Sequence, residues 1–452
     1  MELPTIVFFT IVFLFFLVHG LDLYHKRRMP PGPAGLPIIG NLLDIGPKPH
    51  ESLAKLSLKH GPLMTIRLGS VTSVVASTPD AAREILQRHD DVCSGRMVPD
   101  AVTALENHNM AVLWISANED WRTIRRALNT YLTHQHKLDT LRDLRQNVVE
   151  GMLEFLRASA LKNECVNIGK LAFAVALNQI SNTCISQNVT NYESDDIGGF
   201  KTAVKTIMEV AGKVNIADIF PILKPLDPQN IRQQAKAAYG WFDQVILGFI
   251  NERIKHRESK LPRFGDMLDS LLDYSEDNVA DFNLVHIKIL LVEKMEKSME
   301  KILDLPYLHA VIKETMRLHL SVPLLAPHKT ENQVKLGDYI VPKNIQILVN
   351  VWAMARDPMY WENPLSFMPE RFLKSEVDYK GQHFQFLPFG SGRRMCPGIP
   401  LAHRVVTLMV ASFVYHFDWE LTHPREEMDM NDIFGLALLR ATPLVAYPIS
   451  TK

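Results

Sequence analysis

The chain has 452 residues, of which 47% are hydrophobic and 22% charged, with 49 Lys+Arg against 50 Asp+Glu. This composition excludes an intrinsically disordered protein, because enough apolar surface is present to offset the conformational entropy of the chain. A net charge of -1, with no basic run interleaved with aromatics after the N-terminus, excludes a nucleic-acid-binding protein. The four cysteines show no CxxC or zinc-site spacing, which favours a reducing compartment.

The first segment, residues 1–24, is predicted to be a membrane anchor. Residues 3–18 are almost wholly apolar, and the run extends to Leu23, long enough for a hydrocarbon core of ~30 Å. A cleaved signal peptide is the alternative, but it needs a positive n-region, whereas here Glu2 precedes the apolar run and His25-Lys26-Arg27-Arg28 follows it. Since positive residues stay cytosolic, we expect a single uncleaved anchor with the body in the cytosol.

Residues 25–41 read as a basic and Pro-rich hinge, because Pro30-Pro31-Gly32-Pro33 cannot continue a helix. The body, residues 42–452, is predicted to be mainly α with a small β-sheet region, an α+β fold without internal repeats. Strand patterns cover 63–68, 71–76, 333–341 and 346–349. Helical patterns cover 79–89, 120–131, 136–158, 168–185 and 229–259.

The most informative segment is Pro388–Gly398, PFGSGRRMCPG. Its glycines allow a close backbone approach, and Cys396 stands where the loop becomes a helix, so amide N–H groups can stabilise a thiolate. Arg393 and Arg394 add positive charge for an anionic group. A structural cysteine is the alternative, but the combination favours axial ligation of haem iron with the propionates nearby.

This segment resembles the cysteine-ligand loop of the cytochromes P450, FxxGxRxCxG, and the resemblance extends over nearly the whole chain. The loop matches at Phe389, Gly392, Arg394, Cys396 and Gly398. Two further family motifs, ExxR and PERF, match at Glu314, Arg317 and 369–372. The resemblance implies a structural network of Glu314, Arg317 and Arg371, in which the first two lie on one helix face.

The same resemblance implies the set of residues that binds the cofactor, haem b. Cys396 is the expected axial ligand of the iron, with Phe389 beside it. Trp121 and Arg125 match the family's WxxxR, which holds a haem propionate, and His328 and Arg394 are the other expected propionate partners.

The sequences of several stretches are similar to those of the plant microsomal branch of the family, particularly to those of geraniol 8-hydroxylase-like enzymes. The benzylisoquinoline-alkaloid hydroxylases are also similar. The resemblance implies a monooxygenase in the endoplasmic reticulum membrane that hydroxylates a small lipophilic substrate, a terpenoid alcohol first of all. It uses O2 and electrons from NADPH through NADPH-cytochrome reductase. The expected substrate-facing regions are 98–114, 200–220, 322–326 and 434–439.

One expected part is missing from the sequence. Between Asp281 and Pro306 the family has its long central helix with A/G-Gx-D/E-T-T, whose acid and hydroxyl relay protons during oxygen activation, but no such motif occurs in this chain. We therefore predict an internal deletion near 281–305, an exposed Lys/Glu-rich helix in its place, and no oxygen-activation acid/Thr pair as catalytic residues.

Three interpretations of this gap remain: an incomplete gene model or splice form, a degenerate protein, or haem–thiolate chemistry such as peroxide rearrangement. Intact flanking motifs favour the first. A protein of another class, a non-catalytic interaction protein anchored in the endoplasmic reticulum with a remnant of the fold, is the alternative.

Overall fold

The computed structural model describes residues 28–105, 108–130, 142–193, 199–277, 284–294, 305–435 and 437–451. The predicted anchor lies outside these residues, as do the first residues of the hinge and the Lys/Glu-rich stretch 295–304. Within the described ranges, the helix long and apolar enough to cross a membrane is Ile399–His416. Its Leu401, Val405 and Phe413 are buried in the body, whereas Val414 and Tyr415 are exposed.

Helices dominate the described part, and each of the five helical patterns predicted from the sequence corresponds to a helix. They are α1 Pro49–His60, α2 Pro79–Arg83, α3 Asp90–Cys93, α4 Glu119–Leu128, α5 Arg142–Lys162, α6 Ile168–Ile185, α7 Phe200–Gly212, α8 Ile216–Ile219, α9 Ile231–Glu258, α10 Met267–Asp277, α11 Leu284–Lys294, α12 Pro306–Leu318, α13 Val351–Met354 and α14 Ile399–His416. A π-helical turn, Glu84–Arg88, continues α2, and short 3-10 turns include Pro221–Leu226, Pro369–Phe372 and Gly392–Arg394.

The strands are short and form four small sheets. They are β1 Leu63–Leu68, β2 Val71–Ala76, β3 Gly95–Arg96, β4 Val166–Asn167, β5 His328–Lys329, β6 Val334–Leu336, β7 Tyr339–Val341, β8 Gln346–Val349, β9 Phe417–Leu421, β10 Asp432–Ile433, β11 Leu439–Arg440 and β12 Val445–Ser450. The largest sheet has the order β1-β2-β8-β5-β3, in which β2 and β8 are parallel. The others are β4-β12-β9 and the hairpins β6-β7 and β10-β11. This architecture confirms the predicted mainly α body with a small β-sheet region.

Helix α11 occupies the region where the sequence loses its central motif. It has 11 residues, so it is about 16 Å long. Ile287, Leu290 and Leu291 are fully buried in the main core cluster with residues of α4, α6, α9 and α10. The ammonium of Lys288 lies 3.0 Å from the carboxylate of Asp243 on α9. The chain therefore has a helix up to Lys294 that is buried at Ile287, Leu290 and Leu291, and the predicted exposed helix falls largely on residues that the structure does not describe.

Shortening a buried side chain of α11 should destabilise the whole body. We expect Leu290→Ala to lower the free energy of unfolding by about 3 kcal/mol, because it removes buried methyl groups and leaves a cavity. Leu284→Ala on the same helix is the matched control: Leu284 is 46% exposed, and we expect a change within about 0.5 kcal/mol. Urea unfolding followed by circular dichroism measures both; equal effects would show that α11 is not held in the core.

Candidate functional site

The loop that carries Cys396 is held in a conformation that only glycines permit. Gly390 and Gly392 have φ angles of 73° and 69°, and a Cβ atom on Gly392 would lie 1.8 Å from the carbonyl oxygen of Leu86. The amide of Cys396 donates to the carbonyl of Phe389 at 3.0 Å. Cys396 is half-buried and precedes α14, whose N-cap is Gly398.

Helix α4 supplies the two predicted residues of the WxxxR motif. It begins after Asn118, whose side chain accepts from the amide of Trp121 at 2.9 Å. Arg125, one turn later, donates to the carbonyl of Met395 at 2.6 Å, immediately before the cysteine. The guanidinium carbons of Arg125 and Arg394 lie 5.9 and 5.0 Å from the centre of the Trp121 ring. The structure therefore brings the WxxxR motif and the cysteine loop together.

Arg394 and His328 lie beside this pair. Arg394 donates to the carbonyls of Ser94 at 2.9 Å, Val112 at 3.0 Å and Ile115. His328 is buried, and its Nδ1 lies 2.8 Å from the carbonyl of Cys93. Burial, followed by the charge of a neighbouring arginine, holds the pKa of His328 well below its usual range. The imidazole is therefore neutral at pH 7.

That neighbouring arginine is Arg96, a site residue that sequence reasoning missed. It pairs with His328 across strands β3 and β5 and is 6% exposed. Its Nη1 donates to the carbonyls of Ala326 at 2.5 Å and Pro327 at 3.3 Å, whereas its buried Nε has no hydrogen-bond partner among the described residues. No sequence motif marks Arg96, because only the pairing of two strands distant in the chain places it here.

The three guanidiniums carry positive charge, and among the described residues none of them forms an ion pair. Arg96, Arg125 and Arg394 hydrogen-bond to carbonyl oxygens. Burial, followed by the charge of Arg394, lowers the pKa of Arg96 to about 9. Burial, followed by the charge of Arg125, lowers the pKa of Arg394 to about 10 although Glu331 acts against it, and burial lowers the pKa of Arg125 although Cys396 acts against it. A bound anion would therefore be favourable at this cluster of cations.

The prediction that both arginines of the loop serve an anionic group is wrong for Arg393. Its guanidinium forms two contacts with the carboxylate of Asp90 on α3, at 3.0 and 3.1 Å. This ion pair neutralises Arg393 and ties the cysteine loop to α3. Only Arg394 of the two remains available to a bound anion.

The predicted network of Glu314, Arg317 and Arg371 is present. Both carboxylate oxygens of fully buried Glu314 accept from Arg317, at 2.7 and 2.8 Å, and Arg371 approaches the same carboxylate at 3.3 Å. Arg317 also donates to the carbonyls of Ala355 and Pro364, at 2.7 and 2.8 Å. Since both guanidiniums bind the one carboxylate and their other hydrogen-bond partners among the described residues are backbone carbonyls, this network ties α12 to the segment before the cysteine loop.

These residues fit a haem group by the chemistry of their donors. Arg96, Arg125 and Arg394 provide cations and N–H groups for two carboxylates, and Cys396 lies next to them as the candidate thiolate ligand. The indole N–H of Trp121, by contrast, donates to the carbonyl of Val112 at 3.2 Å. The unpartnered Nε of Arg96 is a donor that such a carboxylate would satisfy.

Comparisons with known proteins agree with this geometry. The sequence model of the family described as Cytochrome P450 matches residues 30–295 and 288–446. Cytochrome P450 76T24 of Catharanthus roseus is 38% identical, over 98% of each chain. Geraniol 8-hydroxylase of Swertia mussotii is 37% identical, over 97% of this chain and 98% of the relative, and ferruginol synthase of Salvia fruticosa is 36% identical, over 94% and 95%.

The same comparisons show that this chain is shorter than a relative and that its family match is divided. The alignment with the first of these relatives covers 487 positions, more than the 452 residues of this chain, so the relative has residues that this chain lacks. The two matched segments of the family model meet at residues 288–295, at the end of α11.

The anion-binding role of Arg96 can be tested with the cofactor. We expect Arg96→Met to weaken haem binding by about tenfold or more, because a charge-assisted hydrogen bond is lost in a site removed from water. Titration of the haem-free protein with haem, followed by absorbance, measures the dissociation constant. Arg122→Met is the control, since Arg122 on α4 pairs with Glu119 at the surface. Equal binding by the Arg96 variant and the unchanged chain would contradict the assignment.

Proposed function

The chain belongs to the cytochrome P450 family of haem-thiolate monooxygenases, and we propose that its reaction is the hydroxylation of a small lipophilic plant metabolite, with a terpenoid alcohol as the substrate class. The observation that carries the site assignment is the meeting of three guanidiniums, none of them in an ion pair among the described residues, with the Cys396 loop. Haem, when bound, supplies the oxidising chemistry, with O2 and electrons derived from NADPH.

On this proposal each residue of the site has a separate task. Cys396 ligates the iron, and the hydrogen bond from its backbone amide to the carbonyl of Phe389 fixes the loop. Arg96, Arg125, Arg394, His328 and Trp121 hold the haem carboxylates. Glu314, Arg317 and Arg371 support the loop from behind without touching the cofactor.

The substrate class rests on the relatives and on the four apolar regions expected to face the substrate. The relatives include geraniol 8-hydroxylase and ferruginol synthase. Two contacts bring these regions together in pairs: the amide of Asp100 donates to the carboxylate of Asp218 at 2.7 Å, and the amide of Leu438 donates to the carbonyl of Ser321, beside region 322–326, at 2.7 Å. Clustered apolar segments suit a pocket for a lipophilic molecule.

We place the protein at the endoplasmic reticulum membrane, with one N-terminal anchor and NADPH-cytochrome reductase as the electron donor. An exposed apolar surface next to the hinge supports membrane contact. Ile38 is 77% exposed and Ile222 86% exposed. The turn between β1 and β2 connects the segments that carry Ile38 and Ile222. The amide of Gly69 donates to the carbonyl of Ile39 and the amide of Ser70 to the carbonyl of Ile219, both at 3.0 Å.

We also propose that this chain is a truncated form in which the oxygen-activating part of the central helix is missing. The support is the division of the family match at residues 288–295 and the lack of the A/G-Gx-D/E-T-T motif in the sequence. This division also favours the second candidate, a non-catalytic interaction protein anchored in the endoplasmic reticulum. The two differ in haem binding, which a pure scaffold does not need.

The haem-thiolate assignment makes a spectroscopic prediction. Reduced protein with carbon monoxide should show the red-shifted Soret band of a thiolate ligand, and Cys396→Ala should abolish that band, because no thiolate remains at the iron. Cys165→Ala is the matched control, since Cys165 is exposed on the body, outside the described site. A folded chain that shows no such band would favour the scaffold.

The truncation makes a second prediction. Replacing residues 293–304 by the corresponding segment of geraniol 8-hydroxylase should raise NADPH-dependent hydroxylation of geraniol by about a hundredfold or more, because general acid help in oxygen activation is restored. Product is measured by mass spectrometry with reductase present. The control graft carries Ala at the acid and hydroxyl positions of the motif. Equal turnover by the unmodified chain would contradict the proposed truncation.

A further inference from the structure

Behind the cysteine loop lies a polar contact that the haem site does not use. Tyr379 is 6% exposed, and its hydroxyl lies 2.8 Å from Nδ1 of His403. The Tyr379 ring meets the ring of Phe389 edge-on, with centroids 5.6 Å apart and planes at 69°. Phe389 in turn accepts the amide hydrogen bond of Cys396.

His403 connects this contact to two helices. It lies on α14, the helix that follows the cysteine loop, and its ring stacks on that of His309 on α12 at 4.9 Å and 22°. A second link from α12 is Lys313, whose ammonium donates to the carbonyl of Val377 at 3.0 Å. The segment that carries Tyr379 is therefore held from both α12 and α14.

The same segment touches the cysteine loop directly. The hydroxyl of Ser391 donates to the carbonyl of Gly381 at 2.7 Å. Gly381 has a φ angle of 80°, and a Cβ atom there would lie 2.7 Å from the sulfur of Met395. Residues 379–381 therefore contact the cysteine loop at Ser391 and Met395, on the N-terminal side of Cys396.

We propose that Tyr379 and His403 are positioning residues of the ligand loop, and that their hydrogen bond fixes Phe389 and, through its carbonyl, the amide and sulfur of Cys396. The part that concerns the sulfur rests on the proposed role of Cys396 as the haem ligand. The part that concerns the loop does not need haem.

The chemistry of the pair supports this role. A phenylalanine would fill the apolar space around Tyr379 equally well. The hydroxyl group of Tyr379 is therefore explained by its hydrogen bond to His403 and not by packing. Burial, then the neighbouring His309, lowers the pKa of His403, with Lys380 and Lys313 acting in the same direction and Asp378 against it. His403 is therefore neutral at pH 7, with a ring nitrogen available to accept from the hydroxyl.

The first test uses the chain without haem. We expect Tyr379→Phe to speed hydrogen exchange at the amide of Cys396 by about fivefold, the effect of losing one neutral hydrogen bond. Mass spectrometry of peptides from 386–398 measures it. Tyr192→Phe is the matched control, because it removes a comparable hydroxyl bond, 2.8 Å to Val148, in another part of the core. Unchanged exchange in the Tyr379 variant would overturn the proposal.

The second test separates positioning from general stability. His403→Asn keeps an acceptor near the position of Nδ1, whereas His403→Leu does not. The rate of hydrogen exchange at the Cys396 amide and the carbon monoxide band should therefore match those of the unchanged chain in His403→Asn only. We expect His403→Leu and Tyr379→Phe to lower the fraction of red-shifted band, while Tyr192→Phe leaves it unchanged at a similar melting temperature. Loss of the band in His403→Asn to the same extent as in His403→Leu would contradict the role of the hydrogen bond.

The two proposals fail in different ways. If Cys396→Ala keeps the red-shifted band, the ligand assignment falls, whereas faster exchange in Tyr379→Phe still supports the positioning of the loop. If exchange is the same in the Tyr379 variant and the unchanged chain, the positioning proposal falls while the ligand assignment stands.

Discussion

The site depends on a concentration of arginine charge. Arg96 is buried and Arg125 and Arg394 are half-buried, and their hydrogen-bond partners among the described residues are carbonyl oxygens. Carbonyl dipoles satisfy individual N–H groups but do not cancel net charge. The lowered pKa values of these arginines therefore reflect the unfavourable free energy of burying their charged forms. A dianionic cofactor removes that cost on binding. Haem binding and stability of this half of the body are therefore linked by mass action.

The network around Glu314 shows the opposite arrangement. There a single buried carboxylate faces Arg317 and Arg371, and the remaining N–H groups of Arg317 find carbonyls. This cluster is complete without a ligand and can form as the chain folds. Because it fixes the segment leading to the cysteine loop, the loop is positioned before any cofactor arrives. One cluster thus serves the fold and the other serves the ligand, although both consist of buried arginines.

Features set by local pattern were predictable from the sequence, and features set by distant pairing were not. The strands 63–68 and 71–76 and the helix 168–185 have the predicted bounds, because alternation or helical periodicity is contained within each segment. Arg96 was missed because its role arises only from the pairing of β3 with β5. Arg393 was misassigned because Asp90, its partner, lies far away in the chain. Motifs identified the other site residues, but not how their donors are used: the indole of Trp121 donates to Val112.

The proposed gap in the central helix lies next to a well-packed region. Ile287, Leu290 and Leu291 are buried in the core and Lys288 is paired with Asp243, so the middle of the helix is held in place. The apolar packing that holds α4, and with it Trp121 and Arg125, includes these residues of α11. The side of the site that binds the haem carboxylates therefore keeps its support up to the point where the family match divides. Loss of the following segment should then affect oxygen activation before it affects the binding of the cofactor.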